Sequence, residues 1–546
     1  MVNLMAKLSR SLFIVLSLCS GLVMANSSES IAKPRLDFGV LYNDDGWSGI
    51  RKNSPKKSME YLSQMVSELP SLGIDTLMYC SGVSDVLQYP TQVASPFGWN
   101  SIQNKQYRPF KENIDAGVDA VMVAGHAANK AGLNFFVSYR MNDNHFISRP
   151  DLRSEFYLKH HKEAGFSIGN NPYPNIGIDF GKMPNFAHSQ VRQFRLAIIK
   201  EHIARYAKVM NGLELDFSRL ALMFPDNTGW ENRAILTDML KQIRVELNYY
   251  ASKLDKTLYL AVRIPPTLKT SQWAGIDVIH WMENNWVDLV IPSQNMTTVM
   301  AMPIEDIIAA GKQHNVGVYA GVYQRTAYSY PFKSKPQSQD YALGPNRNMS
   351  AAMMRGAVNN YQLMGANNLQ LFNILQPFNA ADLRLVKAVT EVEKQLSAPR
   401  VYAISPNYWF DYGPEKISYK KQLPQPLKND QIHDFTLYVG EDLRETKGRY
   451  VGLRLGLNGQ AKSINALNIT LNKQLVFQGK PQLLAVKKPK SDKNSPPAVH
   501  YYFQLALTNH ALRGLLQAGD NHLSIVMKGR VNREVVLSEV KLGVTN

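Results

Sequence analysis

Cysteine is nearly absent. The chain has 546 residues and two cysteines, Cys19 and Cys80. A disulfide-stapled scaffold is therefore excluded, and the fold has to rest on its apolar core. No set of Cys and His has the spacing of a zinc site, and no metal or other cofactor is expected. "CSGVS", starting at Cys80, lacks the Cys-x-Pro-x-Arg pattern of sulfatases. Acidic residues are also scarce: 44 Asp and Glu face 61 Lys and Arg, a formal charge of +17. Beyond the first residues no run is apolar for long enough to span a bilayer, and no nucleic-acid-binding module is recognisable.

The one long apolar run lies at the start. Lys7 and Arg10 precede "SLFIVLSLCSGLVM", and Val23-Met24-Ala25 offers a small-residue cleavage site. Residues 1–25 are expected to be a secretory signal peptide. A lipid attachment at Cys19 is disfavoured by the bulky Leu18 before it. Cleavage would remove Lys7, Arg10 and Cys19, leaving about +15 and one thiol, Cys80, at the end of an apolar run. An exported chain of this charge suits an anionic polymer, and with no nucleic-acid module an anionic glycan is the partner to consider.

What the chain has in abundance is alternation. Eight apolar runs, at 35–44, 74–80, 133–142, 212–217, 258–266, 287–294, 316–324 and 368–375, are each followed by a helix-length segment. "PKKSMEYLSQMVSEL", for example, has the apolar spacing of a helix packed on one face. Eight such units predict an α/β fold, a (β/α)8 TIM barrel spanning residues 26–398. After Ser397-Ala398-Pro399 the rhythm changes to period two: "FTLYVGED", "YVGLRLGLNG" and "VHYYFQLAL" alternate apolar and polar residues between Asn, Gly and Asp. Residues 399–546 are expected to be an antiparallel β-sandwich, interrupted by the basic loop "VKKPKSDKNSPP".

In such barrels the chemistry sits where the strands end. In "GLELDF", Leu213, Leu215 and Phe217 share one face and Glu214 and Asp216 the other. The carboxylates are therefore expected to point into the barrel. Other strand ends supply Asp44 and Trp47, Arg140, Asp143 and His145, Arg263, Gln294, Gln324 and Asn373. Tyr107, Tyr323 and Tyr328 are aromatic neighbours by sequence. Amides and carboxylates match sugar hydroxyls, and aromatic faces stack on sugar rings. Cleaving a glycosidic bond usually takes two carboxyl groups. Glu214 is the candidate general acid, with Asp216, Asp143 or Asp44 as the second carboxylate. Arg140, His145, Arg263 and Gln294 are candidates to bind or orient. The competing structural role is a buried ion pair of Glu214 or Asp216 with Arg140, Arg219 or Arg263.

The ordered set "YRMNDNH", "GLELDF", "VRIPP", "VDLVIPSQ" and "LFN" resembles exported barrels of the glycoside hydrolase superfamily. The tail, "NALNITLNKQLV" followed by "LRGLLQAGDNHLSIVMKG", resembles a jelly-roll accessory domain. Within the superfamily the chain is most similar to glycoside hydrolase family 167. That resemblance implies hydrolysis of β-linkages in carrageenan, a sulfated galactan. It departs from well-known retaining barrels, which place Asn-Glu after strand four and a second Glu after strand seven. Here Leu213 precedes Glu214, and the seventh run ends in Gln324-Arg325. The missing second Glu keeps open a glycan-binding protein without catalysis. A hydrolase of neutral glycans is the other alternative.

Overall fold

The computed structural model describes residues 37–545, apart from 47–54, 84, 101–107, 144, 150–151, 172–178, 295–296, 328–345, 376–379, 392–396, 406–421, 445–449, 487–499, 508–513 and 530–532. The expected signal peptide, Trp47, Tyr107, Tyr328 and nearly all of the basic loop lie outside the described residues. Among the described residues no helix is long and apolar enough to cross a membrane.

Eight parallel strands close on themselves in chain order. They are β1 (Leu41–Asp44), β2 (Thr76–Cys80), β3 (Asn134–Arg140), β4 (Gly212–Asp216), β5 (Tyr259–Ile264), β6 (Leu289–Pro292), β7 (Gly317–Tyr323) and β8 (Asn368–Phe372). β1 pairs with both β2 and β8, which completes the barrel. The strands are buried on both faces, which is why they read as near-continuous apolar runs. Each is shorter than its run in the sequence, because the run continues into buried loop ends such as Pro265-Pro266 and Ile374-Leu375.

A main helix follows each strand: α1 (Pro55–Glu68), α2 (Ala120–Lys130), α3 (Ser189–Tyr206), α4 (Arg233–Leu254), α5 (Val278–Glu283), α6 (Glu305–Gln313), α7 (Ala351–Met364) and α8 (Ala380–Thr390). α1 buries Ser58, Leu62, Met65 and Val66, the stripe its spacing predicts. α7 starts at Ser350, whose side chain accepts the Met353 amide. It stops at Gly365, in the left-handed conformation at φ 90°. β8 follows almost at once.

The second part is two antiparallel sheets. Its strands are β9 (Arg400–Ala403), β10 (Gln425–Leu427), β11 (Ile432–Val439), β12 (Tyr450–Asn458), β13 (Leu467–Leu471), β14 (Gln474–Gly479), β15 (Leu483–Ala485), β16 (Tyr501–Ala506), β17 (Gly519–Met527) and β18 (Val535–Thr545). One sheet runs β9-β18-β12-β16-β15, with β10 also on β18; the other runs β11-β17-β13-β14. Leu453, Leu455, Ile469, Leu523, Ile525 and Val540 fill the core between them.

β9 serves two cores. Tyr402 and Ile404 enter the sandwich interior, while Val401 and Ala403 pack on the barrel core. The seam against α7 is backbone-close. A Cβ at Gly356 would sit 2.2 Å from the carbonyl oxygen of Val401, and one at Gly440 would sit 2.3 Å from the carbonyl carbon of Asn359. Polar pairs rim the seam. Arg355 Nε donates to the Pro399 carbonyl at 2.7 Å. Asn359 Nδ2 donates to the Tyr402 hydroxyl at 3.1 Å. Glu441 accepts from Tyr402 at 2.6 Å and from Arg400 at 2.6 and 2.9 Å. Gly356→Val should therefore force backbone apart and destabilise the chain by about 1–3 kcal/mol or more. Chemical denaturation would measure it; an unchanged midpoint would contradict the close seam.

Candidate active site at the barrel mouth

Strand register sorts the inward side chains into layers. Ser138, Glu214 and Ala261 are in register on β3, β4 and β5. Two residues further along, Arg140, Asp216 and Arg263 are in register and form the layer above. On the far side, Gln370 of β8 is level with Gly321 of β7, and Phe372 with Tyr323 and with Asn43 of β1. Leu213, Leu215 and Phe217 pack in the helix-facing core, as the alternation of "GLELDF" predicts.

Glu214 is fully buried. Its Oε2 accepts Asn43 Nδ2 at 2.6 Å, and its Oε1 accepts Gln370 Nε2 at 2.6 Å. Burial pushes its carboxyl up from the ordinary 4.5 to about 7, with the nearby Asp216 charge adding to the rise. Hydrogen bonds from Ser138 and Gln370 and the Arg263 charge pull the other way.

Asp216 is held differently. Its Oδ1 accepts the backbone amides of Ser218 and Arg219, both at 2.9 Å, which fixes the turn after β4. Its Oδ2 pairs with Arg263 Nη1 at 3.0 Å. Arg263 also donates to Ser293 Oγ at 2.9 Å, and its guanidinium lies 3.9 Å over the Phe372 ring. Both charged groups are 1% exposed.

A second ion cluster follows β3. Arg140 pairs with Asp45 and, at 3.0 Å, with Asp143. Asp143 Oδ1 also accepts the His145 amide at 2.8 Å and faces His145 Nδ1 at 2.5 Å. Burial would raise the Asp143 carboxyl, but His145, Arg140 and Arg219 together hold it well below the usual carboxylate range. Burial lowers the His145 imidazole, reinforced by the Arg219 and Arg140 charges and opposed by Asp143. His145 Nε2 lies 3.4 Å from Arg219 Nη2. The ring is still 29% exposed, so this edge of the cluster meets solvent.

The sequence-predicted residues divide. Glu214, Asp216, Asp143, Arg140, His145 and Arg263 come together. Asp44 does not. Strand parity puts it on the outer face with Tyr42, whose hydroxyl donates to it at 3.2 Å, and it closes a turn by accepting the Gly46 amide at 2.8 Å. The inward residue at this strand end is Asn43, one place earlier, so Asp44 lies outside the inward set and closes the turn after β1. Gln294 is buried directly after β6. Gln324 is half-buried, and its carbonyl accepts the Met349 amide at 2.9 Å. Asn373, at φ 52°, ends β8 and donates its amide to the Asn43 carbonyl at 3.0 Å. Tyr323 is at the rim, its ring 6.1 Å from Phe372.

Gln370, Ser138, Ser293 and Phe372 were not singled out from the sequence. A signal existed for two of them: Gln370 and Phe372 hold the inward parity of "NLQLF", between outward Leu369 and Leu371. Cys80 is a buried free thiol. No group of three or more His, Cys, Asp or Glu suited to a metal occurs among the described residues.

Two stability outcomes follow. Glu214 binds its proton more tightly folded than unfolded. Its contribution is fully present below about 4.5 and lost as pH rises through about 7. Glu214→Gln should therefore be more stable than the parent at alkaline pH by roughly 3 kcal/mol, with the gain vanishing at acid pH. Asp216→Asn should lose about 3–5 kcal/mol, because it strips Arg263 of its buried partner. Urea denaturation across pH checks both.

No family model matches the chain, and no curated protein matches it. Solved structures resemble it at low identity. A cycloisomaltooligosaccharide glucanotransferase from Paenibacillus sp. is 11% identical with TM-score 0.36, over 94% of this chain and 58% of that one. The chain thus spans less than two thirds of that protein's length. An α-amylase from Geobacillus thermoleovorans is 9% identical with TM-score 0.38, over 90% and 99% of the two chains. A glycoside hydrolase family 18 N-acetylglucosaminidase from Paenibacillus barengoltzii is 9% identical with TM-score 0.33, over 65% and 98%. Glycoside hydrolases are thus among the structures the chain resembles. At these TM-scores the likeness carries no argument about activity, and the fold stands on its own closed strand order.

Proposed function

We propose that the protein is a glycoside hydrolase in which Glu214 donates the proton to the leaving oxygen and Asp143 or Asp216 supplies the second carboxylate. The observation that carries this is the split between two carboxyl groups at one barrel mouth. Glu214 is pushed up to about 7, while Asp143 is held well below the usual range. Pairs of acids pushed apart by their surroundings are how one site keeps an acid and a base at neutral pH. Glu214 lies beneath the layer of Arg140, Asp216 and Arg263, so a sugar has to displace part of that layer to reach it.

The finer reading is an exported enzyme acting on a sulfated galactan of the carrageenan type. It is supported by the family resemblance, the signal-like N-terminus and the charge of +17. The mouth itself adds little to the charge argument: Arg140 and Arg263 are matched by Asp45, Asp143 and Asp216. Attraction to an anionic polymer would therefore come from the surface and weaken as salt rises.

The test is to incubate residues 26–546 with sulfated and neutral galactans and measure new reducing ends. Products from the carrageenan fraction are expected. Their rate constant kcat/KM should fall as pH rises through about 7, as the acid loses its proton. Glu214→Gln should lower turnover by about a hundredfold or more while remaining folded. Binding without products would replace the hydrolase with a glycan-binding protein. Products only from neutral galactans would remove the anionic substrate.

A further inference from the structure

β4 and β8 are opposite staves of the barrel. Glu214 and Gln370 nonetheless touch, because their side chains meet near the barrel axis, Nε2 to Oε1 at 2.6 Å. Their in-register neighbours leave the way clear: Ala261 lies beside Glu214, and Gly321 beside Gln370. A Cβ at Gly321 would sit 2.4 Å from Ser293 Oγ, so nothing larger fits there without a shift. The Gln370 amide is steadied by Met78 Sδ at 3.1 Å, and both side chains are fully buried.

The nature of the grip matters as much as its place. The hydrogen-bond partners of Glu214 are neutral: the side-chain amides of Gln370 and Asn43 and the Ser138 hydroxyl. The nearby guanidinium groups are engaged elsewhere, Arg140 by Asp45 and Asp143, and Arg263 by Asp216. A carboxyl held by neutral amides can gain or lose a proton without breaking an ion pair. The charges that act on it are Asp216 on its own strand and Arg263 on β5, with Arg140 of β3 in the layer above; the Cys80 thiol on β2, kept protonated by burial, is its titratable neighbour.

We propose that Gln370 is a positioning residue for Glu214: its amide fixes the carboxyl on the barrel axis and sets the pH at which the proton is held. An N–H aimed at a carboxyl oxygen favours the ionised form. Without it, burial and Asp216 act less opposed, and the proton stays to higher pH. The catalytic meaning rests on the hydrolase reading above; the geometry does not.

The experiment titrates the carboxyl itself. The full chain is labelled with carboxyl-¹³C glutamate, and the Glu214 resonance is assigned by its loss in Glu214→Gln. Its midpoint is then followed with pH in the parent and in Gln370→Met, which keeps length but removes the donor. An upward shift of about one pH unit is expected, with the alkaline limb of kcat/KM moving by the same amount. If Gln370→Met does not fold, Gln370→Asn draws the amide out of reach and reads the same shift. An unmoved midpoint in the folded variant overturns the proposal, as does a slower enzyme whose pH profile is unchanged. If the parent cleaves no glycan, a shifted resonance still supports the grip on Glu214 while the hydrolase reading falls.

Discussion

Charge on the axis of a barrel has to be answered by charge or by hydrogen bonds, since water is largely excluded there. That constraint orders the whole mouth. Arginine and aspartate alternate around the upper layer, Arg140 against Asp45 and Asp143, Arg263 against Asp216. One layer down, Glu214 is answered by amides instead. The same fold thus keeps two kinds of carboxyl within a few residues of each other, one locked in ion pairs and one left able to titrate.

The alternation of the strands made much of this legible in advance. Because side chains reverse direction at each residue, "GLELDF" could point only its Leu, Leu and Phe outward, and the barrel core holds all three. The eight-unit rhythm is equally direct, since parallel strands buried on both faces have to be apolar throughout. The mouth's ion pairs were harder. Arg140, Arg219 and Arg263 were all available to Glu214 or Asp216, and only the strand register decides between them. A one-residue offset misplaced the polar end of β1: Asp44 carries the more reactive group, but Asn43 has the inward parity. Gln370 escaped notice because its partner lies 156 residues away, across a barrel whose diameter no local pattern encodes.

The two parts of the chain were separable in the sequence by a change of period, from helix-spaced segments to strict alternation. The seam between them was not. A helix that reads as an ordinary barrel helix, with Met353 and Met354 in its core stripe, also receives β9 at backbone distance through Gly356. Small residues at such a seam give no hydrophobic signal, since their role is to be absent from the space another backbone takes.

The double allegiance of β9 has a consequence for how this protein could change over time. Its alternate residues complete one core each, and it is hydrogen-bonded into the sandwich through β18. Removing the sandwich would consequently take β9 with it and open the barrel core that Val401 and Ala403 cover. The helix beneath that strand runs through Gly365 into β8, the stave that carries Gln370. A graft of either part onto a foreign partner would have to carry the shared strand and mend the core it leaves open.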